Sequence, residues 1–315
     1  MQRFLLQRLI GMVLMLLLIS ILSYSVVRLL PGDPATAMLG EGADPAVLAR
    51  VRADLGLDKP APLYYFVWLG RVVHGDFGRS IQSNQPVAGL LRARLVPTIE
   101  LSLIAAVIAV AIALPLGMLA AIRRGSLFDR IASTFAMLGL AIPSFCLGIL
   151  LILLFSLMLG WLPPSGWRDP FRQPAQSLRF MLLPAVTLGT AFAATLTRQV
   201  RASLLAVLGE DYLRTARAKG LRERPIVLRH ALRNALIPVV TVIGLMIGQL
   251  LGGAVITETI FAIPGIGRTG VDAIFSRDYP IIQGVVLMLA IIVQAISLIV
   301  DVLYAFIDPR IRYGR

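Results

Sequence analysis

The residue types that most often carry out chemistry are few in this chain. The two histidines, His74 and His230, lie in separate polar segments, so we expect no shared metal site or catalytic dyad. Neither Lys59 nor Lys219 follows a glycine, so the phosphate-binding sequence G-x-x-x-x-G-K-[ST] is absent. The chain is therefore not itself a P-loop ATPase, and the sequences H-E-x-x-H and G-x-S-x-G of hydrolases are absent too.

One glycine motif and three acids remain as candidates. Residues 265–270 match G-x-G-x-x-G, but no strand–helix–strand context surrounds them, so we interpret the match as accidental for nucleotide binding. Acids inside apolar segments are functional candidates by default. Glu100 and Glu258 lie near the ends of apolar runs, and Asp301 is about 9 Å deep in another. We assign Glu258 and Asp301 as candidate pore or gate residues, with arginine pairing or snorkelling as the alternative.

The elements that carry these residues are membrane spans. Of the 315 residues, 57% are apolar and 15% are charged, and the mean hydropathy is +0.83. Apolar runs of about 18 residues or more predict spanning helices. The sequence therefore predicts an all-α membrane protein with six transmembrane helices, at Leu9–Leu29, Thr98–Ile122, Ile131–Leu159, Met181–Thr197, Val239–Ile260 and Ile281–Ile307.

The basic residues indicate the orientation of these spans. If the N-terminus is cytoplasmic, seventeen Lys and Arg fall in the inner segments and five in the two short outer loops. This asymmetry predicts that both termini are cytoplasmic. It also explains the net charge of +13 without a nucleic-acid partner, which we therefore exclude. A cleaved signal peptide ending near 35–37 remains an alternative for the first span.

The segments between the spans suggest a division into four parts. These are an N-terminal tail and first span (1–30), an outer segment (31–97), a core region that contains the other spans (98–307) and a tail (308–315). In the outer segment, Asp44 and Pro45 predict the start of a short helix that ends at Leu55 and Gly56. This segment is either a lid over the helix ends or a docking surface for an external partner.

The inner loop 198–237 is too polar to span a membrane and has a regular pattern. Asp211 is placed to cap a helix beginning at Tyr212, and Gly220 to end it in the left-handed conformation. Pro225 predicts the start of a second helix, which we expect to end at Pro238. The first helix is either a basic helix lying on lipid headgroups or one inserted into a cleft on a cytoplasmic protein.

Glycines also recur in the fifth span. Small residues at every fourth position form one face of a helix and let a neighbouring helix approach closely. We therefore predict a helix-packing face made by Gly244, Gly248 and Gly252.

The inner loop resembles the cytoplasmic coupling loop of ABC importer permeases, in the form found in the dipeptide, oligopeptide, glutathione and nickel group. In place of the general Glu-Ala-Ala it has Arg214, Thr215 and Ala216, followed by Gly220, as is usual in this subgroup. Further motifs in family order resemble the first permease subunit of such importers, and they begin at Leu30, Leu55, Gly75, Glu258, Pro264 and Asp308.

The resemblance implies a type I ABC importer permease fold with an outer segment between helices 1 and 2, in a multi-pass protein of the bacterial inner membrane. It implies that this chain binds no cofactor and no metal, because two ATP-binding subunits hold ATP and Mg²⁺. The other implied partners are a second, homologous permease, an extracytoplasmic binding protein and the membrane lipid. The transported solute would be a dipeptide, oligopeptide or glutathione, with nickel or haem as alternatives. A secondary carrier of another class is the rival hypothesis, but the absence of deep charges and of an inverted repeat counts against it. The implied ATPase-coupling residues are Glu210, Asp211, Tyr212, Arg214, Thr215, Ala216, Arg217, Lys219, Gly220 and Leu221.

Overall fold

A computed structural model describes residues 2–29, 35–36, 40, 42–54 and 58–307. Over these ranges the chain is helical apart from turns, loops and one antiparallel bridge between Arg79 and Pro86. The expectation of an all-α protein is therefore confirmed. The principal helices are α1 (Gln2–Leu29), α2 (Pro45–Asp54), α3 (Ala61–Val73), α4 (Val87–Ile122), α5 (Leu127–Ala141), α6 (Ser144–Leu151), α7 (Pro174–Leu208), α8 (Asp211–Ala218), α9 (Leu232–Ile260), α10 (Ile266–Phe275) and α11 (Tyr279–Ile307).

Two π-helical segments extend these helices. Ile152–Met158 continues α6, while Glu223–Pro225 and the π-helical Ile226–Ala231 lead directly into α9. The predicted helix end at Leu55 and Gly56, and the motifs that begin at Leu30 and Asp308, lie outside the described residues.

Among the described residues, five helical segments are long and apolar enough to cross a membrane, and one bent pair of helices would make a sixth crossing. The bent pair corrects the third predicted span, because α5 and α6 meet at an angle of 102°. Pro143 explains the break, since a proline disfavours the helical conformation of the residue before it. Ile142 accordingly has an extended backbone, and α6 begins immediately after Pro143. The five segments are Leu6–Ser25, Val87–Ile122, Pro174–Leu208, Ile226–Ile260 and Tyr279–Val302.

The bounds of two other predicted helices, the fourth span and the second inner helix, were also wrong. The fourth span was predicted to have 17 residues, but α7 has 35, because its flanking polar residues continue the helix beyond the apolar stretch. The second inner helix was predicted to end at Pro238, but α9 continues through it. Pro238 removes one backbone hydrogen bond, and the buried residues Ala235 and Val239 on either side hold the helix together. The helical conformation also begins at Glu223, two residues before the predicted start at Pro225.

The chain forms two compact units that differ from the predicted parts. The first unit comprises residues 1–96 and 264–295, and the second comprises residues 97–263 and 296–315. The first unit therefore includes 264–295, which the sequence analysis placed in the core region 98–307. In the first unit, the cluster that packs the start of α4 against α10 and α11 consists of Val87, Leu91, Ile266, Ala273, Ile281 and Val285.

In the second unit α7 is the central helix, and it contacts α5, α6 and α9. Its buried residues contribute to three apolar clusters, one near each end and one in the middle. A Cβ atom at Gly189 of α7 would lie 2.8 Å from the carbonyl oxygen of Ala105, so glycine permits α4 to approach closely there. This packing fixes the ends of α7, which border both polar regions described next.

Candidate functional site

The first polar region is the loop that carries α8. Leu213 is fully buried in a cluster with Ala121, Leu204, Ile226 and Ala231, while Ala216 packs against the edge of that cluster. A helix of eight residues is marginal in water by itself, and burying one leucine stabilises it by about 1.5–3 kcal/mol. Leu213 is thus the one fully buried side chain by which α8 packs on the rest of the second unit.

The start of α8 differs from the sequence prediction. Asp211 is the first helical residue and not the cap, and Glu210 occupies the capping position in an extended conformation without a side-chain cap bond. The Asp211 carboxylate instead pairs with Arg214 one turn later, at 3.2 Å. Asp211 still carries negative charge in the first turn, where the helix dipole favours it.

The end of α8 matches the prediction. Gly220 has a φ of +77°, the left-handed conformation that glycine adopts without strain. The backbone N–H of Gly220 donates to the Arg217 carbonyl at 2.9 Å, and that of Leu221 donates to the Ala216 carbonyl at 3.3 Å. These two bonds form a Schellman motif, which turns the chain sharply toward Glu223.

Side chains also connect α8 to the segment that follows it. The Asn234 amide donates to the Tyr212 hydroxyl at 2.8 Å, and Arg217 pairs with Glu223 at 2.8 Å. The sequence analysis assigned no role to Asn234 or Glu223. The spacing of each pair along the chain contains no local signal that these residues meet.

The outer surface of α8 is basic and partly apolar. Arg214 is 73% exposed, and Tyr212 and Leu221 are about half exposed. Lys219 and Thr215 are exposed as well. Among the described residues, no group of three or more His, Cys, Asp or Glu could hold a metal ion. This surface is suited to contact with another macromolecule, because it combines exposed apolar area with arginine.

The second polar region lies at the far end of α9 and includes Glu258. The Glu258 side chain is fully buried and accepts a hydrogen bond from the Thr98 hydroxyl at 2.6 Å. Full burial contradicts the snorkelling alternative for this acid. Glu100, two residues beyond Thr98 in α4, accepts from the Trp167 ring N–H at 2.8 Å and from the Ser177 hydroxyl. We call these two neighbouring groups, Thr98 with Glu258 and Glu100 with Trp167 and Ser177, the carboxylate cluster.

Asp301, the other predicted gate residue, lies elsewhere. It is half-buried in α11 and follows Val300, which packs on Gly244 of α9. Gly244 precedes Glu258 by fourteen residues, or about 21 Å along the helix. The structure therefore does not bring the two predicted gate residues into one site.

The glycines of α9 are not equivalent. A Cβ at Gly244 would lie 2.3 Å from Val300 Cγ1, so this position requires glycine for helix contact. At Gly252 a Cβ would meet nothing within 4 Å, whereas at Gly253 it would lie 3.2 Å from Leu188. The close approach that the pattern predicts is thus found at Gly244 and not at Gly252. Gly248 also lies in α9, between these two positions.

An ion pair that the sequence analysis missed joins α5 to α7. Arg201 donates two hydrogen bonds to Asp129, from Nε at 2.6 Å and from Nη2 at 2.9 Å. Asp129 also accepts from the Gly125 backbone N–H at 2.9 Å. Such a bidentate pair stabilises the contact between α5 and α7 and restricts its geometry, so it holds in place the part of α7 that precedes α8.

The chain has the fold found in ABC importer permeases. A chain of the MetNI methionine ABC transporter, in an inward-facing form, aligns with 70% of this chain and 96% of its own length, at a TM-score of 0.58 and 21% identity. A chain of an amino acid ABC transporter crystallised with histidines aligns at a TM-score of 0.54 and 15% identity. At these identities the likeness concerns the fold alone.

The family follows from the sequence comparisons. The model of the binding-protein-dependent transport system inner membrane component matches residues 113–313, and its N-terminal companion matches residues 1–102. This chain belongs to that family. It is 46% identical to the glutathione transport system permease protein GsiC of Pectobacterium atrosepticum and 45% identical to that of Escherichia coli (strain K12), over 99% of this chain and all of each relative.

Proposed function

We propose that this chain forms half of the translocation pathway of an ATP-driven importer for glutathione or other short peptides. The observation that carries the proposal is the identity of 44–46% to glutathione permeases across 99% of this chain. Similarity over the whole length, without a large insertion or a missing segment, favours the same substrate class over nickel or haem. It also favours the same subunit composition, in which a second permease completes the pathway.

ATP hydrolysis is assigned to two partner subunits, which bind ATP and Mg²⁺, because this chain has no phosphate-binding loop. The surface proposed to meet one of them is the exposed side of α8. Tyr212 and Arg214 of α8, and Lys219 and Leu221 just after it, are exposed, in contrast to the buried Leu213. The ion pairs that flank α8 and the Schellman turn at Gly220 support this role, since they orient the short helix before a partner binds.

The proposed orientation has both termini in the cytoplasm, so that α8 faces the ATPase and the carboxylate cluster lies on the outer side with the binding protein. The excess of arginine in the inner segments supports it. A periplasmic alkaline phosphatase fused after Arg315 should be inactive, and a cytoplasmic fluorescent protein fused there should be bright. The opposite pair of results would overturn the orientation.

The substrate is tested with the complete transporter in proteoliposomes, together with its binding protein. ATP hydrolysis is measured after addition of glutathione, a set of dipeptides and longer peptides, Ni²⁺ or haem. Stimulation by glutathione or peptides is expected. Stimulation by Ni²⁺ or haem alone, or by none of these solutes, would contradict the proposal.

The same preparation distinguishes an ATP-driven importer from a secondary carrier. Uptake of labelled glutathione should continue when an ionophore removes the proton gradient, provided that ATP is present inside the liposomes. It should stop when ATP is replaced by a non-hydrolysable analogue. Uptake that follows the gradient and ignores ATP would favour the carrier instead.

A further inference from the structure

Helix α3 of the first unit is apolar on both of its faces. Its inner face carries Tyr64, Tyr65 and Trp68, and the rings of Tyr65 and Trp68 each lie 5.5 Å from the ring of Tyr24 on α1. Tyr64 is nearly fully buried. This face is an ordinary aromatic contact between two helices.

The exposed face of α3 is apolar except for Arg71 near its end. Leu63, Phe66, Val67 and Val73 are all exposed, Phe66 by 69% and Val73 by 75%. Leu63 is three residues from Phe66 and four from Val67, and Val73 follows Phe66 by seven residues, or two turns. The four side chains therefore form one stripe along the helix. Arg71 is the one charged residue within α3. A helix whose outer face lies in water would carry polar residues at these positions.

Helix α2, in the same outer segment, provides the contrast. Its first turn is capped by Asp44, which accepts from the Ala46 N–H at 2.8 Å, as the sequence predicted. Its exposed positions include Arg50 and Arg52 besides Val47. The exposed side of α2 therefore suits water, and that of α3 does not.

The contacts of α3 place it at a defined level of the membrane. The Tyr65 hydroxyl is hydrogen-bonded to the Ser20 hydroxyl at 2.8 Å, and Ser20 lies in the apolar segment Leu6–Ser25 of α1. Five residues separate Ser20 from the end of that segment, or about 7.5 Å of helix. Interfacial helices bury their apolar faces about 5–10 Å into the boundary between headgroups and acyl chains.

We propose that α3 is an interfacial helix that lies in the plane of the membrane, with Leu63, Phe66, Val67 and Val73 immersed in lipid. Its 13 residues cover about 20 Å, which is too short to cross a bilayer. Arg71 and Lys59 provide positive charge beside the apolar stripe, which suits anionic headgroups. The neighbouring surface of α1 is apolar too, with Leu18 and Leu22 more than half exposed. The outer segment is therefore anchored in the membrane through α3, and any contact that α2 makes is additional.

The test measures which medium touches the outer face of α3 in the complete transporter. Cys146 is the single cysteine of the chain, so Cys146→Ser provides a background for spin labels at Phe66→Cys or Leu63→Cys. Val47→Cys on α2 is the matched control, because Val47 is an apolar residue exposed by 46% on a neighbouring short helix. The transporter is placed in nanodiscs of phosphatidylethanolamine and phosphatidylglycerol, and collision with oxygen is compared with collision with a water-soluble nickel chelate.

The ratio of oxygen to chelate collisions should be several-fold higher at positions 63 and 66 than at position 47, because oxygen concentrates in the acyl region. Ratios equal to that of position 47 would place the face in water and overturn the proposal. Low collision with both reagents at 63 and 66 would mean that another subunit covers the face, which would overturn it as well. Two label positions keep the test decisive if one variant fails to assemble.

Discussion

The polar regions that border the two ends of α9 differ in how far their charged side chains are buried. At the α8 end, charged groups pair with charged groups at the surface, as in Arg217 with Glu223 and Arg214 with Asp211. In the carboxylate cluster at the other end, the fully buried Glu258 accepts from the Thr98 hydroxyl, and the half-buried Glu100 accepts from Trp167 and Ser177. One end is organised for exposure, and the other for burial.

The energies of these arrangements differ accordingly. An exposed ion pair contributes about 0–1 kcal/mol, so its members can exchange partners when another protein binds. Removing a hydrogen-bond donor from a buried carboxylate such as Glu258 costs far more unfolding free energy, because no water takes the place of the donor. Helix α8 can therefore change its contacts at little cost to the fold, whereas the carboxylate cluster locks α4 and α9 together.

The largest effect is expected at the anchor of α8. Leu213→Ala removes the one buried leucine of this helix and should destabilise the packed loop by about 2–5 kcal/mol. Amide hydrogen exchange of 211–221 in the assembled transporter measures the loss. The matched control is Leu221→Ala, an exposed leucine next to the same helix, which should leave exchange nearly unchanged. Equal exchange in both variants would refute the single-anchor interpretation.

The next effect is expected in the carboxylate cluster. Thr98→Val keeps the shape of the side chain but removes the hydroxyl that donates to Glu258, at a cost of about 1–3 kcal/mol. Thermal unfolding of the purified transporter in detergent measures it. Thr259→Val is the control, because the Thr259 hydroxyl is exposed and bonds only locally to the Val255 carbonyl. If the two variants unfold at the same temperature, the bond to Glu258 does not lock the cluster.

The sequence predicted those features that depend on neighbouring residues. The left-handed turn at Gly220 follows from a glycine at the end of a short helix, and the cap at Asp44 from its place before Pro45. The number of apolar segments also follows from local composition. In each case the interacting groups lie within a few residues of one another.

The effect of proline was harder to predict because it depends on packing. Pro184 and Pro238 continue their helices, whereas Pro143 breaks the third span by 102°. All three stand in similar apolar sequence. Pro184 is itself buried, and Val239 after Pro238 is buried, whereas Ile142 before Pro143 is exposed and has an extended backbone.

Contacts between distant residues were not predictable at all. Thr98 and Glu258 are 160 residues apart, and Asp129 and Arg201 are 72 residues apart. Nothing in the spacing of one chain indicates which acid meets which donor. The sequence therefore identified Glu258 as an acid within an apolar segment. Its partner, its burial and its separation from Asp301 follow only from the structure.

A smaller effect is expected at Gly220, whose backbone conformation costs a residue with a Cβ about 1–2 kcal/mol. Gly220→Val should strain the turn and reduce transport-linked ATP hydrolysis, while the transporter still assembles. Gly220→Asn is the control, because asparagine tolerates the left-handed region. A valine variant with normal transport-linked hydrolysis would show that the Schellman turn does not orient α8.

The smallest effect on stability, and the most direct test of the comparison, is expected at Arg217. Arg217→Ala removes an exposed ion pair, so the transporter should lose no more than about 0–1 kcal/mol of unfolding free energy. If α8 meets the ATPase, the same variant should weaken association with that subunit, and the weakening should diminish at high salt. Co-purification at about 50 mM and about 500 mM salt, between which the screening length falls from roughly 14 Å to roughly 4 Å, measures this.

The matched control is Arg172→Ala, which removes another exposed ion pair, with Asp169, in the loop before α7. Both variants should unfold alike, because neither pair is buried. Only Arg217→Ala should release the ATPase, since only Arg217 lies on the helix that is proposed to bind it. Equal retention of the ATPase by the two variants would mean that the exposed charges at the α8 end serve solubility rather than docking, and the contrast between the two ends of α9 would then concern burial alone.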